Sequence, residues 1–120
     1  MIIAISNTGR DISPHFGHSD GCTIYHINNS QITEVNYIAN PGKRQQVDLF
    51  YVHEGNHKSG NCSCRFFAEF ILKHIQIDVI VTDHIGGKAY QLFNQCGTNV
   101  ISGIKGKIDD YLQGYLGKAG

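Results

Sequence analysis

The sequence predicts an α/β fold in which helices cover one mixed sheet. Two observations lead to this prediction. The N-terminal half carries short segments rich in apolar, β-branched and aromatic residues, separated by turn residues, which is typical of strands. In the C-terminal half, apolar residues recur at helical spacing and alternate with short apolar runs, which is typical of helices joined to parallel strands. A length of 120 residues suits a single domain, spanning residues 1–120.

The N-terminal half is predicted to form a strand followed by an antiparallel hairpin. Residues 2–5 are a short apolar run, which indicates a buried strand. Residues 7–21 contain several glycines and a proline and are expected to form a loop. Residues 23–27 and 31–39 are predicted strands, and the Asn-Asn-Ser sequence between them indicates a hairpin turn.

The middle of the chain is less regular. Residues 40–42 interrupt the preceding strand because they contain proline and glycine. Residues 47–52 are apolar enough for a short strand or a turn of helix, and both alternatives stay open. Residues 53–61 are polar and contain glycine, which predicts a loop.

The C-terminal half alternates helices and strands. Helices are expected to begin near residues 64, 87 and 106, with Asn61 or Ser63 available to cap the first. Residues 77–82 and 99–102 are predicted strands, the first of them central, and Gly97 is expected to end the second helix. Strands joined by helices run parallel, so this half predicts consecutive strand–helix units. The residues that define the three helix faces are Phe67, Phe70, Ile71, His74 and Ile75, then Ile85, Ala89, Leu92, Phe93 and Cys96, and finally Ile108, Tyr111, Leu112, Tyr115 and Leu116.

Composition argues against several classes of function. The formal net charge of +0 and a pI near 7.0 do not suit a surface for nucleic acid or anionic membranes. The opening segment lacks basic residues, and no stretch approaches the ~18 apolar residues of a membrane span, so we expect a cytoplasmic protein. Disulfides are uncommon there, so the 4 cysteines are interpreted as ligands, redox groups or buried residues. Cys22 and Cys96 are expected to be buried, and His26 and His74 to be structural.

Three groups of side chains are expected to meet at one edge of the sheet. A helix that leads into a parallel strand begins at the edge where that strand ends, and α/β sheets bind ligands at this edge. The start of the first C-terminal helix should therefore lie beside the residues that follow the 77–82 strand. If residues 2–5 pair parallel with that strand, the loop that follows them reaches the same edge.

The first group is Cys62 and Cys64, with His53 and His57 upstream. Thiolates are soft ligands that suit iron–sulfur, copper(I) and molybdenum–sulfide species. A helix N-terminus lowers the pKa of a thiol, which favours the Cys64 thiolate. The spacing matches no common zinc-finger pattern, and the alternative interpretation is a flexible loop with incidental cysteines.

The other two groups are loops that carry histidine and glycine. His15 and His18 lie in a Ser-Pro-His-Phe-Gly-His sequence, where each could be a ligand or could stabilise the fold. His84 precedes Gly86 and Gly87 at a strand-to-helix turn. Glycines let the backbone approach a ligand and a helix N-terminus favours an anion, although a plain tight turn would have the same sequence.

Several of these segments resemble the dinitrogenase iron-molybdenum cofactor biosynthesis family. The resemblance lies in residues 2–6, the Ser-Pro-His-Phe-Gly loop at 13–17, residues 78–81 followed by His84-Ile85-Gly86, and the closing segment 106–116. It covers nearly the whole chain. It implies a ribonuclease H-like α/β fold with a mixed sheet. The family includes carriers of iron-molybdenum cofactor precursors and small proteins that bind molybdenum–copper sulfide clusters. The resemblance therefore implies one of these two functions, with a relation to nitrogen fixation.

The residues and the resemblance together predict binding or delivery of a metal–sulfur cluster or its precursor, of the iron–sulfur or molybdenum type, without enzymatic activity. Cluster donor and acceptor proteins are the expected partners, and nucleic acid and membranes are not. The metal and the oligomeric state stay open. The predicted ligands are His15, Cys62 and Cys64, with His53 and His57 as further candidates, while His84, Gly86 and Gly87 would face the cluster.

Two alternatives remain. One is a regulatory or redox-sensing module that uses Cys62 and Cys64. The other is a nuclease, since ribonuclease H-like nucleases hold two metal ions with several carboxylates, one of them on the first strand. Residues 2–6 contain no acidic residue, which argues against a nuclease.

Overall fold

A computed structural model describes residues 1–41 and 61–119 of the chain, and this part forms a mixed α/β fold. Its sheet has 6 strands in the order β4-β3-β1-β5-β6, with β2 paired antiparallel to β1. Residues 47–52, for which strand and helix stayed open, lie outside the described part. The elements are β1 (Ile2–Thr8), β2 (Asp11–Ile12), a 3-10 turn (Phe16–His18), β3 (Gly21–Asn28), β4 (Gln31–Ala39), α1 (Asn61–His74), β5 (Val79–Val81), α2 (Gly87–Gln95), β6 (Asn99–Ile101) and α3 (Ile108–Ala119).

The first strands form an antiparallel unit, as the turn sequence predicts. β3 pairs antiparallel with β1 and with β4. The connecting residues Asn29 and Ser30 both have positive φ, 53° and 64°, which is the backbone of a tight hairpin turn. β4 is largely exposed along its length, and Val35 and Tyr37 are each 53% exposed.

The prediction of an uninterrupted loop over residues 7–21 is wrong in part. β1 continues to Thr8, because its polar end still pairs with Gly21 and Cys22 on one side and with β2 on the other. Thr8 pairs with Asp11 across a two-residue turn, and the polar, glycine-containing sequence of this segment does not distinguish such pairing from a plain loop.

The second half supplies the parallel part of the sheet. β5 lies between β1 and β6 and runs parallel to both. α2 begins at Gly87, as expected, and Gly97 follows its end with φ +83°, a conformation that favours glycine. Within the described residues, no helix is long and apolar enough to cross a membrane.

The other two helix starts differ from expectation. α1 already begins at Asn61, so neither Asn61 nor Ser63 precedes the helix as a cap. α3 begins at Ile108 rather than near 106, because Gly106 and Lys107 first pair with the β2 segment: Ile12 N–H donates to the Gly106 carbonyl at 2.8 Å.

The sheet is packed on both faces. Ala4, Ile24 and Ile80 face α1 and α2, whereas Ile3 and Val81 face α3. Adjacent residues of a strand point to opposite faces, so a strand covered on both sides is apolar at successive positions. This explains the continuous apolar runs in β1 and β5.

The two cysteines expected to be buried differ from one another. Cys22 is buried, as predicted. The prediction for Cys96 is wrong, since this residue is exposed. Cys96 shares the helical spacing of the buried Phe93, but it is the C-cap of α2 and lies beyond the last helical residue, where the chain turns toward β6.

Candidate functional site

Three histidines from two loops lie together at the carboxyl ends of β1 and β5. The His15 and His84 rings stack with centroids 5.5 Å apart and an interplanar angle of 29°. The His18 ring meets the His15 ring edge-on, with centroids 6.2 Å apart. All three residues are exposed. We call this group the histidine rim.

The backbone brings the rim together. Residues 15 and 84 form an isolated parallel bridge, in which Phe16 N–H donates to the His84 carbonyl at 2.9 Å. His84 N–H in turn donates to the Pro14 carbonyl at 3.1 Å. This bridge is separate from the β1–β5 ladder, in which residues 3–5 pair parallel with residues 79–81. Residues 69 positions apart in sequence are thus held side by side by main-chain hydrogen bonds.

Phe16 anchors the first loop to the core. Its side chain is fully buried, stacking on Phe67 of α1 at 5.0 Å and meeting Phe93 of α2 edge-on at 5.6 Å. Asn40, also buried, donates from its side chain to the Gly17 and Ser19 carbonyls at 3.1 and 3.0 Å. Because the loop interior is fixed in this way, the exposed His15 and His18 have a defined position.

Asp83 and Lys105 form an ion pair beneath the rim. Lys105 Nζ lies 2.6 Å from Asp83 Oδ2, and His84 Nε2 lies 3.7 Å from Asp83 Oδ1. The hydrogen bond from Lys105 lowers the pKa of Asp83, which burial opposes and the charges of Lys105, His84 and His15 reinforce. Sequence reasoning missed this pair. An acidic residue directly after the central strand was the available signal for Asp83, but nothing local pointed to Lys105.

The glycines follow the rim at the start of α2. Gly86 is the N-cap residue and makes no side-chain cap, so the first backbone N–H groups of α2 lack a capping side chain. The space where a Cβ of Gly87 would lie contains no atom within 4 Å. A ligand at the rim could therefore approach the positive end of this helix closely.

The predicted cysteine ligands lie in the first turn of α1, where the structure describes their backbone. α1 is joined to the rim loop through the contact of Phe67 with Phe16. His53 and His57 lie outside the described residues. In the part of the chain that is described, no three His, Cys, Asp or Glu side chains are grouped closely enough to hold a metal ion.

The thiol of Cys22, the remaining cysteine near the sheet, is unreactive. Burial raises the pKa of the Cys22 thiol strongly, so that the thiolate does not form near neutral pH. His26 and His74, expected to be structural, have ring nitrogens in hydrogen bonds of 2.8 Å, the first to the Asn36 side chain and the second to the Phe70 carbonyl.

Comparison with known proteins agrees with the fold and identifies the family. The crystal structure of PH0822 superposes with a TM-score of 0.72 at 23% identity, covering 98% of this chain and 92% of that one. The apo form of the orange protein from Desulfovibrio gigas superposes with a TM-score of 0.71 at 19% identity, covering 98% and 88%. At these identities the two structures show a shared fold.

Sequence comparison identifies the family of the chain. The uncharacterised protein MJ0580 of Methanocaldococcus jannaschii is 29% identical over 116 residues, which are 97% of this chain and 86% of that protein. The family described as "Dinitrogenase iron-molybdenum cofactor" matches residues 1–118, which confirms the resemblance of the loop and strand motifs. The chain therefore belongs to the dinitrogenase iron-molybdenum cofactor family.

Proposed function

We propose that this protein binds a metal–sulfur cluster, or its precursor, at the histidine rim and passes it from a donor to an acceptor protein. One observation carries the proposal: the His15 and His84 rings stack 5.5 Å apart on an exposed edge at the carboxyl ends of two parallel strands. Ligands of α/β sheets bind at this edge. The family assignment supports a cargo related to the iron-molybdenum cofactor. We also propose that the fold is of the ribonuclease H-like type.

The proposed donors suit a cluster that carries negative charge. Neutral histidine donates a lone pair without adding to that charge, as proposed for His15 and His84. Thiolates of Cys62 and Cys64 would add soft donors from the start of α1, with His53 and His57 as further donors. Backbone N–H groups that begin at Gly87 would face the anion.

Exposure of the rim favours delivery over storage. The His84 side chain is 66% exposed, so a partner protein could reach a cluster bound there. Structural metal sites differ, because four protein ligands enclose the ion and hold it. A transfer site must release its cargo, which an open rim permits.

A nuclease remains the less favoured alternative, and we propose that the protein is not an enzyme. β1 contains no acidic residue that could hold a catalytic metal. The Asp83 carboxylate, which lies 3.7 Å from His84 Nε2, is engaged by Lys105. Purified protein should therefore leave RNA and DNA intact in the presence of Mg²⁺ or Mn²⁺.

The test is binding of tetrathiomolybdate, with and without copper(I), to protein purified without oxygen. Titration is followed by the absorption of the thiomolybdate and by metal analysis after gel filtration. The His15→Ala/His84→Ala variant should lose at least about tenfold in affinity, equivalent to about 1.4 kcal/mol. The matched control is His26→Ala/His74→Ala, which removes two histidines outside the rim and should bind like wild type. Equal affinity of the rim variant and wild type would show that the histidine rim is not the site.

A further inference from the structure

Asp83 occupies an unusual position for a carboxylate. Among the described residues it is the one acidic side chain that is buried, with 6% of its surface exposed, and it is the second residue after the end of β5. Both carboxylate oxygens have neighbours of opposite or potentially opposite charge: Oδ2 contacts Lys105 Nζ at 2.6 Å, and Oδ1 faces His84 Nε2 at 3.7 Å.

The residues around Asp83 join three loops. Its own carbonyl accepts from Gly103 N–H at 2.7 Å, which ties the loop after β6 to the end of β5. The next residue, His84, is bonded through its backbone to Pro14 and Phe16 in the first loop. A buried charge at such a junction costs free energy unless it is paired, and Lys105 supplies that pairing at one of the two carboxylate oxygens.

We propose that Asp83 is a positioning residue that orients the His84 ring and selects its tautomer. This inference rests on the proposed function. The carboxylate attracts the proton of the neutral imidazole to Nε2, and the Nδ1 lone pair is left for the cluster. Metal-ligating histidines commonly donate their second ring N–H to a carboxylate, which fixes the tautomer and strengthens the donor atom.

Lys105 completes the arrangement. Its ammonium group can only donate hydrogen bonds, so it occupies Oδ2 and leaves Oδ1 to His84. The distance of 3.7 Å from Oδ1 to Nε2 exceeds a hydrogen bond, and contacts of this kind often tighten only when the ligand is bound. The ion pair alone could equally serve as a clasp for the loop after β6, and the tautomer of His84 distinguishes these roles.

Asp83→Asn gives the sharpest test, because it keeps the shape of the side chain. Lys105 should still donate to the side-chain oxygen of the asparagine, so the amide NH₂ group would face His84. A donor at that position requires an unprotonated Nε2 as its acceptor. The proton should then move to Nδ1, the same logic by which an asparagine in place of the aspartate of a serine protease triad stabilises the wrong tautomer. Lys105→Met is the matched control, since it breaks the clasp but leaves the carboxylate.

The measurement is a long-range ¹H–¹⁵N correlation spectrum of the histidine rings in the apo protein. The spectrum is recorded at an alkaline pH at which the ring nitrogen shifts no longer change with pH. Wild type and Lys105→Met should show His84 protonated at Nε2, and Asp83→Asn should show the reverse. His26, bonded to Asn36 at 2.8 Å, is an internal reference that should not change. Wild-type His84 protonated at Nδ1, or an unchanged tautomer in Asp83→Asn, would overturn the proposal.

Titration with tetrathiomolybdate then links the tautomer to binding. Asp83→Asn should lose about 10- to 100-fold in affinity, as is usual for a partner of a metal-bound histidine. If wild type binds none of the probe, the proposed function fails, and the spectra of the apo protein still decide whether Asp83 selects the tautomer. If Asp83→Asn reverses the tautomer and binds as tightly as wild type, the positioning role in binding is wrong.

Discussion

The histidine rim and the β3–β4 hairpin are both exposed, yet they are held in different ways. In the hairpin, His26 is bonded to Asn36 across the two strands, and Val35 is 53% exposed. In the rim, His15 makes ring contacts but no side-chain hydrogen bond within the described part of the chain, and it adjoins the fully buried Phe16. Within the described residues, the hairpin histidine is thus held by a side-chain partner, whereas His15 is placed by its buried neighbour and makes no side-chain hydrogen bond.

The strongest test of this difference removes the anchor of the rim. Phe16→Ala should destabilise the protein by about 3–5 kcal/mol, since it deletes a buried ring that packs against two others. Urea denaturation measures this change. Val35→Ala in the hairpin should stay within about 0.5 kcal/mol of wild type, as exposed positions usually do. Similar losses in both variants would show that the rim is not anchored through Phe16.

The second test concerns the cysteines of α1. Cys62→Ser/Cys64→Ser should weaken tetrathiomolybdate binding by at least about tenfold, or about 1.4 kcal/mol, because serine lacks the soft thiolate donor. Its thermal stability should match that of wild type. Cys96→Ser is the control, since this exposed cysteine belongs to the end of α2. Unchanged binding would remove the cysteines from the site, and unfolding would assign them a structural role.

The smallest effect is expected in the hairpin turn. Ser30 has a φ of 64°, in the left-handed region that glycine adopts at little cost. Ser30→Gly should therefore stabilise the protein by about 0.5 kcal/mol, because Asn-Gly is the preferred pair in this turn. Thermal denaturation measures the gain, and affinity for tetrathiomolybdate should stay the same. A loss of stability would mean that the serine side chain stabilises the protein by more than glycine gains from adopting the positive φ at lower cost.

Local pattern accounts for much of the fold. The hairpin turn at residues 29 and 30, the start of α2 at Gly87 and its end before Gly97 all depend on residues within a few positions of each other. Alternating helices and short apolar runs likewise predicted that β5 runs parallel to β6, as observed. Such features follow from backbone preferences that neighbouring residues carry with them.

The same local rules failed where distant segments meet. Cys96 fits the periodicity of a buried helix face and is nevertheless exposed, because it is the C-cap and lies beyond the last residue of α2. The late start of α3 depends on pairing of Lys107 with Asp11, 96 residues earlier in the chain. No residue pattern within either segment encodes a partner so far along the chain.

The candidate site divides in the same way. Sequence by itself determined which side chains have the chemistry of ligands, since the donor atoms of histidine and cysteine do not depend on the fold. It also predicted that the start of the first C-terminal helix lies beside the residues after the 77–82 strand, whereas the place of the His15 loop at that edge depended on the pairing of β1 with β5. Only the tertiary structure decided that His15 and His84 stack and that Lys105, 22 residues after Asp83, engages its carboxylate. These contacts depend on the register of β1 against β5 and on the path of the loop after β6. Both are determined by packing of the whole sheet and not by any single segment.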